Sequence, residues 1–325
     1  MNRLTSLLTV CALGTAASAS DLNLSIESGG SNAVTVSPGE IVTYNVVGEL
    51  SDSLNEGLAL FSIDLSMPGV TLTPAGAPTS TNMQNFDSPL GLSNPAGFGG
   101  TQTGADLKQI GGMQNTLLNG FAPAPSGSVI TGIAQPGSAE TLLTGQVTMP
   151  TQSGTYTLDA SNVLANVIRQ GETGLVTWFV DEAGTGTVTP LTVTVESLFA
   201  DTNSLSLSAG GTVTLTLDGG ASNAGNFYFM GASASGTTPG FVVDGLVLPL
   251  NFDAFTTYTI NNPNGAPYSG KIGFLDGVGL GTTTITVPAG SFPSMAGLTI
   301  NHAYIVHDGV STVMTSNAEP LTLLP

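Results

Sequence analysis

Basic side chains are nearly missing from this chain. Four Lys and Arg residues stand against 22 Asp and Glu in 325 residues, a formal net charge of −18. A field of that sign repels phosphate backbones and anionic lipid surfaces, which excludes nucleic acid and acidic membranes as natural partners. Cysteine is as scarce, with Cys11 alone. Histidine is limited to His302 and His307, and tryptophan to Trp178. No stretch approaches the roughly 18 consecutive apolar residues of a membrane-spanning helix. Only 8% of residues are charged while 41% are hydrophobic, which sets the chain apart from a disordered acidic tail. The 43 glycines and 19 prolines stay below the roughly 25–30% that marks low complexity and indicate a folded, turn-rich protein.

The first residues have the pattern of a secretory signal: Arg3, an apolar stretch from Leu4 to Ala16, then the small residues Ala17-Ser18-Ala19. Cleavage after Ala19 removes Cys11 and leaves no disulfide for an exported product. Lipidation of Cys11 fits poorly, because Val10 precedes it where a small residue is required. Arg3 leaves as well, so Lys108, Arg169 and Lys271 face 22 acidic residues, hence a net charge of −19.

Apolar residues alternate with period two in Val42, Tyr44, Val46; in Ala59, Phe61, Ile63, Leu65; in Leu191, Val193, Val195; and in Val213, Leu215, Leu217. Each set puts its side chains on one face of a pleated strand. Turn signals separate them, among them Ser37-Pro38-Gly39, Asp218-Gly219-Gly220 and Asn262-Pro263-Asn264-Gly265. The expected class is all-β, with two antiparallel β-sandwich-like domains in tandem after the signal peptide. The expected divisions are 1–19 for the signal, 20–200 for a first sandwich with a long 74–126 insertion, and 201–325 for a second. Inside the insertion, Leu107, Ile110, Met113 and Leu117 recur at spacings of three and four, which leaves a short helix over 106–118 as an alternative to strand. Gly111 and Gly112 count against it, at about 1 kcal/mol each.

Three segments carry a family likeness: Ser37-Pro38-Gly39-Glu40-Ile41-Val42-Thr43-Tyr44, Gly57 to Leu65, and Leu143 to Pro150. Residues 22–197 resemble cohesin modules and related carbohydrate-binding sandwiches. That resemblance implies a β-sandwich and an extracellular setting. It does not bring dockerin binding with it, because the central strand runs into Ser66-Met67-Pro68-Gly69 instead of the Tyr-Asp-Pro segment usual in cohesins. Residues 97–119 also have no place in the cohesin pattern. Gly97-Phe98-Gly99-Gly100, the run Gln109 to Thr116, and residues 201–325 are similar to uncharacterised C-terminal β domains of secreted planctomycete proteins, which implies export from a bacterium.

Candidate chemistry is thin. A serine hydrolase would need His302 or His307 as base, and Gly231-Ala232-Ser233-Ala234-Ser235-Gly236 has the wrong spacing for a nucleophile elbow. On one strand over 298–307 the two histidines point to opposite faces and cannot share a metal. Asp181 with Glu182 and Asp52 with Glu56 are the candidate carboxylate pairs for glycoside hydrolysis, and Asp52 to Glu56 is also a candidate calcium loop. An aromatic sugar platform would draw on Trp178, Phe179, Phe227, Tyr228 and Phe229, of which neighbours face opposite ways. No catalytic, cofactor-binding or metal residue is assigned and no cofactor is expected. The expected function is a secreted, non-enzymatic structural, adhesive or protein-binding role. Glycan binding is the alternative, and a secreted hydrolase a further one. The expected partner is a protein or glycan at the cell surface, with the chain extracellular, surface-bound or periplasmic.

Overall fold

The computed structural model describes residues 20–73, 83–85, 100–114, 132–170 and 178–325. The signal segment with Cys11 and most of the 74–126 stretch lie outside these residues. Two apolar clusters divide the chain. One gathers buried side chains from Leu22 to Val195, the other from Leu198 to Leu323. Strands supply nearly all of both, and helix is confined to Ala254–Asn261 and two 3-10 turns among the described residues.

Around the first core runs one sheet in the order Met83–Asn85, Asp106–Gln114, Leu58–Ser66, Gly154–Gln170, Trp178–Thr189, Asp21–Glu27, Ile41–Leu50 and Glu140–Thr148. The long strand Gly154–Gln170 turns this sheet back on itself. Its first residues pair with Leu191–Val195 and its last with Trp178–Thr189. The alternating sets all face inward, with Val42, Tyr44, Val46, Phe61, Ile63, Leu65, Val193 and Val195 buried. Pairing is mostly antiparallel. Parallel pairs join Asp21–Glu27 to Trp178–Thr189, Ala33–Val36 to Leu191–Val195, and Ser204–Ser206 to Glu319–Leu324.

Asp106–Gln114 is a strand, so the helical alternative is not realised there. The spacing that suggested a helix has a different cause. Ile110 pairs with Ile63 and Leu107 with Leu65, so this strand carries one residue more than its partner. Such a bulge lets two residues three apart face the same side, and both Leu107 and Ile110 are buried. Gln109, with φ of 57°, sits at the bulge and donates its N–H to Asp64 Oδ1 at 2.8 Å. Asn162, with φ of 50° on the opposite neighbouring strand, donates to Asp64 Oδ2 at 2.6 Å. Lys108 Nζ stands 3.6 Å from the same carboxylate. Burial alone would raise the pKa of Asp64, but the hydrogen bonds from Asn162 and Gln109 and the Lys108 charge hold it below the ordinary carboxylate value.

The second core lies between two sheets. One runs Leu198–Ala200, Gly211–Asp218, Leu280–Val287, Tyr268–Ser269. The other runs Ser204–Ser206, Glu319–Leu324, Thr299–His307, Phe227–Ser233, Ile272–Phe274, with Thr312–Thr315 also paired to Thr299–His307. The hairpin Phe241–Val243 and Leu246–Leu248 packs Phe241, Val243 and Leu248 with Ile305. Asp253 starts the helix Ala254–Asn261 with a reciprocal capping box to Thr256. Its second carboxylate oxygen accepts from Ser233 Oγ, Ala234 N and Ser235 N, which ties the helix to the end of a core strand.

Two outcomes test this account. Asp64→Ala strands the Gln109 and Asn162 donors and is expected to cost about 2–3 kcal/mol in denaturant unfolding. Because the folded carboxyl is depressed, its contribution in the wild type is present at neutral pH and disappears as pH falls through the carboxylate range. Tyr44→Phe should run the other way. The Tyr44 hydroxyl is buried without a hydrogen bond and burial pushes its pKa up to about 12, so removing it is expected to be neutral or to stabilise by up to about 1 kcal/mol.

Candidate functional site

Three features concentrate polar chemistry or unusual exposure, and all involve the second core. The first is the junction at Ser197, a residue with no exposed surface. Asn317 Oδ1 accepts from Ser197 N at 2.8 Å and Leu198 N at 2.9 Å, while Asn317 Nδ2 donates to Leu198 O at 2.9 Å. Tyr304 OH donates to Ser197 O at 3.1 Å, and Ser197 Oγ is 2.6 Å from Ser153 Oγ in the first unit. Beside this, Gln152 Nε2 donates to Thr315 Oγ1 at 2.7 Å and Gln152 Oε1 accepts from Thr315 N at 3.2 Å. At Gly220, with φ of 77°, a Cβ would come within 2.8 Å of Pro38 O, so the Ser37-Pro38-Gly39 turn approaches the second unit at a spot where only glycine fits.

The second feature is exposed apolar surface. Among the described residues the large exposed apolar side chains are Ile41, Leu54 and Leu164 in the first unit, and thirteen more from Phe199 onward. Two groups of them are paired. Val242 and Val247 face each other across the hairpin and are both exposed. Phe274, 73% exposed, stands edge-on to Phe227 with ring centroids 5.7 Å apart, and His307 pairs with Phe227 on its other side. Phe274, Phe227 and His307 thus form a row on one sheet face.

The third is a cavity of about 120 Å³ at one end of the second core. Ile285 and Val287 wall it from one sheet, Ile300, Leu321 and Leu323 from the other, and Phe255, Tyr258, Phe292 and Met295 cover its end. His302 and Tyr268 supply its buried polar part. Tyr268 OH and His302 Nε2 are 3.0 Å apart, and the Glu319 backbone lies against the same imidazole. Lys271, fully buried, donates from Nζ to Thr259 O at 2.6 Å and lies 4.8 Å from the Tyr268 ring centre. Burial lowers the Lys271 amine to about 8. Burial also pulls His302 down to about 4, opposed by the Glu319 backbone and reinforced by the Lys271 charge, so the imidazole is neutral at pH 7. Tyr268 is raised by burial and stays a phenol.

The remaining candidates are dispersed. His302 and His307 share the strand Thr299–His307 and lie on opposite faces, the first buried and the second half-buried. His307 Nδ1 accepts from Gly309 N at 2.9 Å within its turn. Asp181 pairs with Arg169 at 2.7 Å. Asp52 Oδ1 accepts from Ser20 Oγ and Leu54 N, and Asn55 Oδ1 from Gly57 N and Gln135 Nε2, so these two oxygens of the 52–56 loop are already hydrogen-bonded within the protein. Among the described residues no group of three or more His, Cys, Asp and Glu is placed to hold a metal, and no helix is long and apolar enough to cross a membrane. Ser233 bonds to Asp253, not to a histidine. Phe227 and Phe229 face one side of their strand and Tyr228 the core. The side chains of Trp178 and Phe179 lie outside the described residues.

No family model matches the chain, and no curated protein matches it. Cohesins are among the solved structures it is similar to. The seventh ScaB type I cohesin of Pseudobacteroides cellulosolvens covers 54% of this chain and 92% of its own, at 12% identity and a TM-score of 0.33. A type II cohesin from the cellulosome of Acetivibrio cellulolyticus covers 54% and 95%, at 14% identity and 0.26. The type II cohesin dyad of the ScaA scaffoldin from the same organism covers 83% and 78%, at 11% identity and 0.30. Overlaps this loose pass on no binding property.

Sequence reasoning missed the pairing of His302 with Tyr268 and the role of Asn317. The signal available was a buried-face position, 302, filled by histidine in an otherwise apolar alternation. The titration of His302 gives a direct check. Its folded pKa of about 4 lies below the unfolded value of about 6.5, so the unfolded chain takes up the extra proton between these values. Stability is expected to fall as pH drops from about 6.5 toward about 4, by up to about 3 kcal/mol from this residue. In His302→Phe, unfolding measured across that window should lose this part of the slope.

Proposed function

We propose that the protein is exported and non-enzymatic, and that it works as a structural or adhesive β-sandwich pair holding a partner at the cell surface through its second unit. The observation that carries this reading is the junction. Ser197 is buried and bonded on both sides, so the two cores follow one another without a free linker. A protein that transmits or resists force between a cell and its surroundings needs such coupling. The apolar side chains left exposed on the second unit give the adhesive surface. The strongly perturbed groups His302, Tyr268 and Lys271 are buried inside the second core, which favours a role without catalysis.

Glycan binding is the second reading, and one observation favours it. The exposed Phe274 ring beside Phe227 is a flat apolar face of the kind on which a sugar ring stacks.

Coupling is tested with Asn317→Ala, which leaves two backbone N–H groups and a carbonyl unpaired. The expected result is a loss of about 3 kcal/mol, with the single unfolding transition splitting into two. A variant that still unfolds in one unshifted transition would sink the coupled-pair reading. Adhesion is tested by fractionating producing cells and by pulling down surface proteins and insoluble polysaccharides with the purified protein. The protein is expected outside the cytoplasm. Val242→Ser with Val247→Ser is expected to weaken capture of protein, whereas Phe274→Ala weakening capture of polysaccharide alone would decide for the glycan reading.

A further inference from the structure

We propose that the bare end of the outer sheet face in the second unit, built on Phe274, Phe227 and His307 and flanked by Val278 and Val310, docks a protein segment that carries arginine or lysine beside apolar side chains. The surface serves the adhesive reading, on which this inference rests, and fixes the chemistry of its partner.

The chain covers one half of this face and leaves the other half open. Phe229 and Phe227 point outward on successive rungs of the strand Phe227–Ser233. Phe229 pairs with Ile272 and Ile305 and lies under the hairpin, in a pocket shared with Phe241, Val243 and Leu248. Phe227 pairs with Phe274 and His307 on the next rung. The hairpin ends beside that rung. Its turn residue Asp244 accepts from Thr312 N at 2.9 Å and Thr312 Oγ1 at 2.8 Å, and Thr312 pairs with His307. Beyond the turn the Phe274 ring is left 73% exposed.

Two turns of the same build flank the open rung. Phe274 and His307 both pair with Phe227, so the chain leaves the sheet at the same end after each of them. It does so through Asp276-Gly277-Val278 and Asp308-Gly309-Val310. Asp276 Oδ1 accepts from Val278 N and Leu280 N, both at 2.9 Å. Asp308 Oδ1 accepts from Val310 N at 2.8 Å and Ser311 N at 2.9 Å. The carboxylates thereby hold the turns rigid and push their valines into solvent, Val278 being 60% and Val310 89% exposed. An aromatic row between two projecting aliphatic side chains is an apolar surface that nothing in the second core requires.

Charge selects the occupant. From Leu198 to Pro325, Lys271 is the only Lys or Arg, and it is fully buried. Asp244, Asp276 and Asp308 are exposed around the row. Backbone hydrogen bonds to Leu280 and Val278 hold the Asp276 carboxyl below its ordinary value, those to Ser311 and Val310 do the same for Asp308, and those to Thr312 for Asp244. All three are therefore anionic at neutral pH. A second copy of the chain would bring the same acids and no cation to oppose them, since Lys108 and Arg169 are ion-paired in the first unit. A basic segment meets the rim with opposite charge, sets a cationic head over the exposed Phe274 ring and lays its apolar side chains on Val278 and Val310.

The test uses the whole chain and a labelled nonapeptide in which arginine alternates with leucine and phenylalanine. One control peptide has glutamate in place of arginine, the other serine in place of the apolar residues. Binding is followed by fluorescence anisotropy and by backbone amide resonances. The first peptide is expected to bind and to move the resonances of Gly273 and Gly309, the serine peptide to bind about tenfold more weakly, and the glutamate peptide not to bind. Phe274→Ala should weaken the first peptide about tenfold. Asp276→Asn with Asp308→Asn keeps an acceptor in each turn, so it should melt like the wild type yet bind about fivefold more weakly and lose most of the salt dependence. Equal binding of all three peptides, binding untouched by Phe274→Ala, or a face that takes polysaccharide and no peptide would overturn the proposal. Surface-protein capture that is lost in Val242→Ser with Val247→Ser but unchanged in the double asparagine variant would also overturn it, while leaving the adhesive reading in place.

Discussion

The carboxamide of Asn317 does at the junction what no salt bridge or disulfide could do in this composition. Two backbone N–H groups and one carbonyl meet it at Ser197 and Leu198, where the chain leaves one core and enters the next. Three charge-neutral hydrogen bonds in a part-buried place are worth more than exposed ion pairs, and they do not fade with salt. Gln152 with Thr315 and Ser153 with Ser197 extend the seam using amide and hydroxyl groups only. A chain with so few basic residues has to build its long-range order this way. Lys108 and Arg169 each pair with acids inside the first unit, and Lys271 is buried away from any carboxylate among the described residues.

Strands were legible where alternation was clean. Val42, Tyr44 and Val46 read as one buried face and are one, because period two is a property of the pleat and does not depend on the partner. The segment 106–114 was ambiguous for a physical reason. A bulge at Gln109 adds one residue, turning two steps of a strand into a spacing of three, and a spacing of three is also the mark of a helix. Only Asp64, 45 positions away, distinguishes the two, since its carboxylate holds the bulge. Information of that range is not present in a local window.

The same limit applies to the sites. Opposite faces for His302 and His307 followed from their separation of five on a strand. The phenol that pairs with His302 comes from position 268 on the facing sheet, and the amide that closes the junction comes from position 317. Neither sits in a recognisable motif. A polar residue at an inward position was the only local trace, and it indicates that a partner exists without naming it. Exposed aromatics were half legible: alternation required that Tyr228 oppose Phe227 and Phe229, but which side was the core depended on the second sheet.

The strand Thr299–His307 joins these observations. His302 and Tyr304 are two apart, so both point inward, one to Tyr268 and the cavity, the other to the carbonyl of Ser197. Between Ile300 and Val306, then, the inner face of a core strand carries an imidazole and a phenol hydroxyl where aliphatic groups would pack without any need for partners. Each costs desolvation, and each is offset only if its partner is in place. At Tyr304 the hydroxyl has its partner, and the return is a fixed junction. At His302 the imidazole lies against the Tyr268 phenol and the Glu319 backbone. One strand therefore spends buried polarity twice, once to fix the junction between the two cores and once to hold an imidazole against a phenol of the facing sheet.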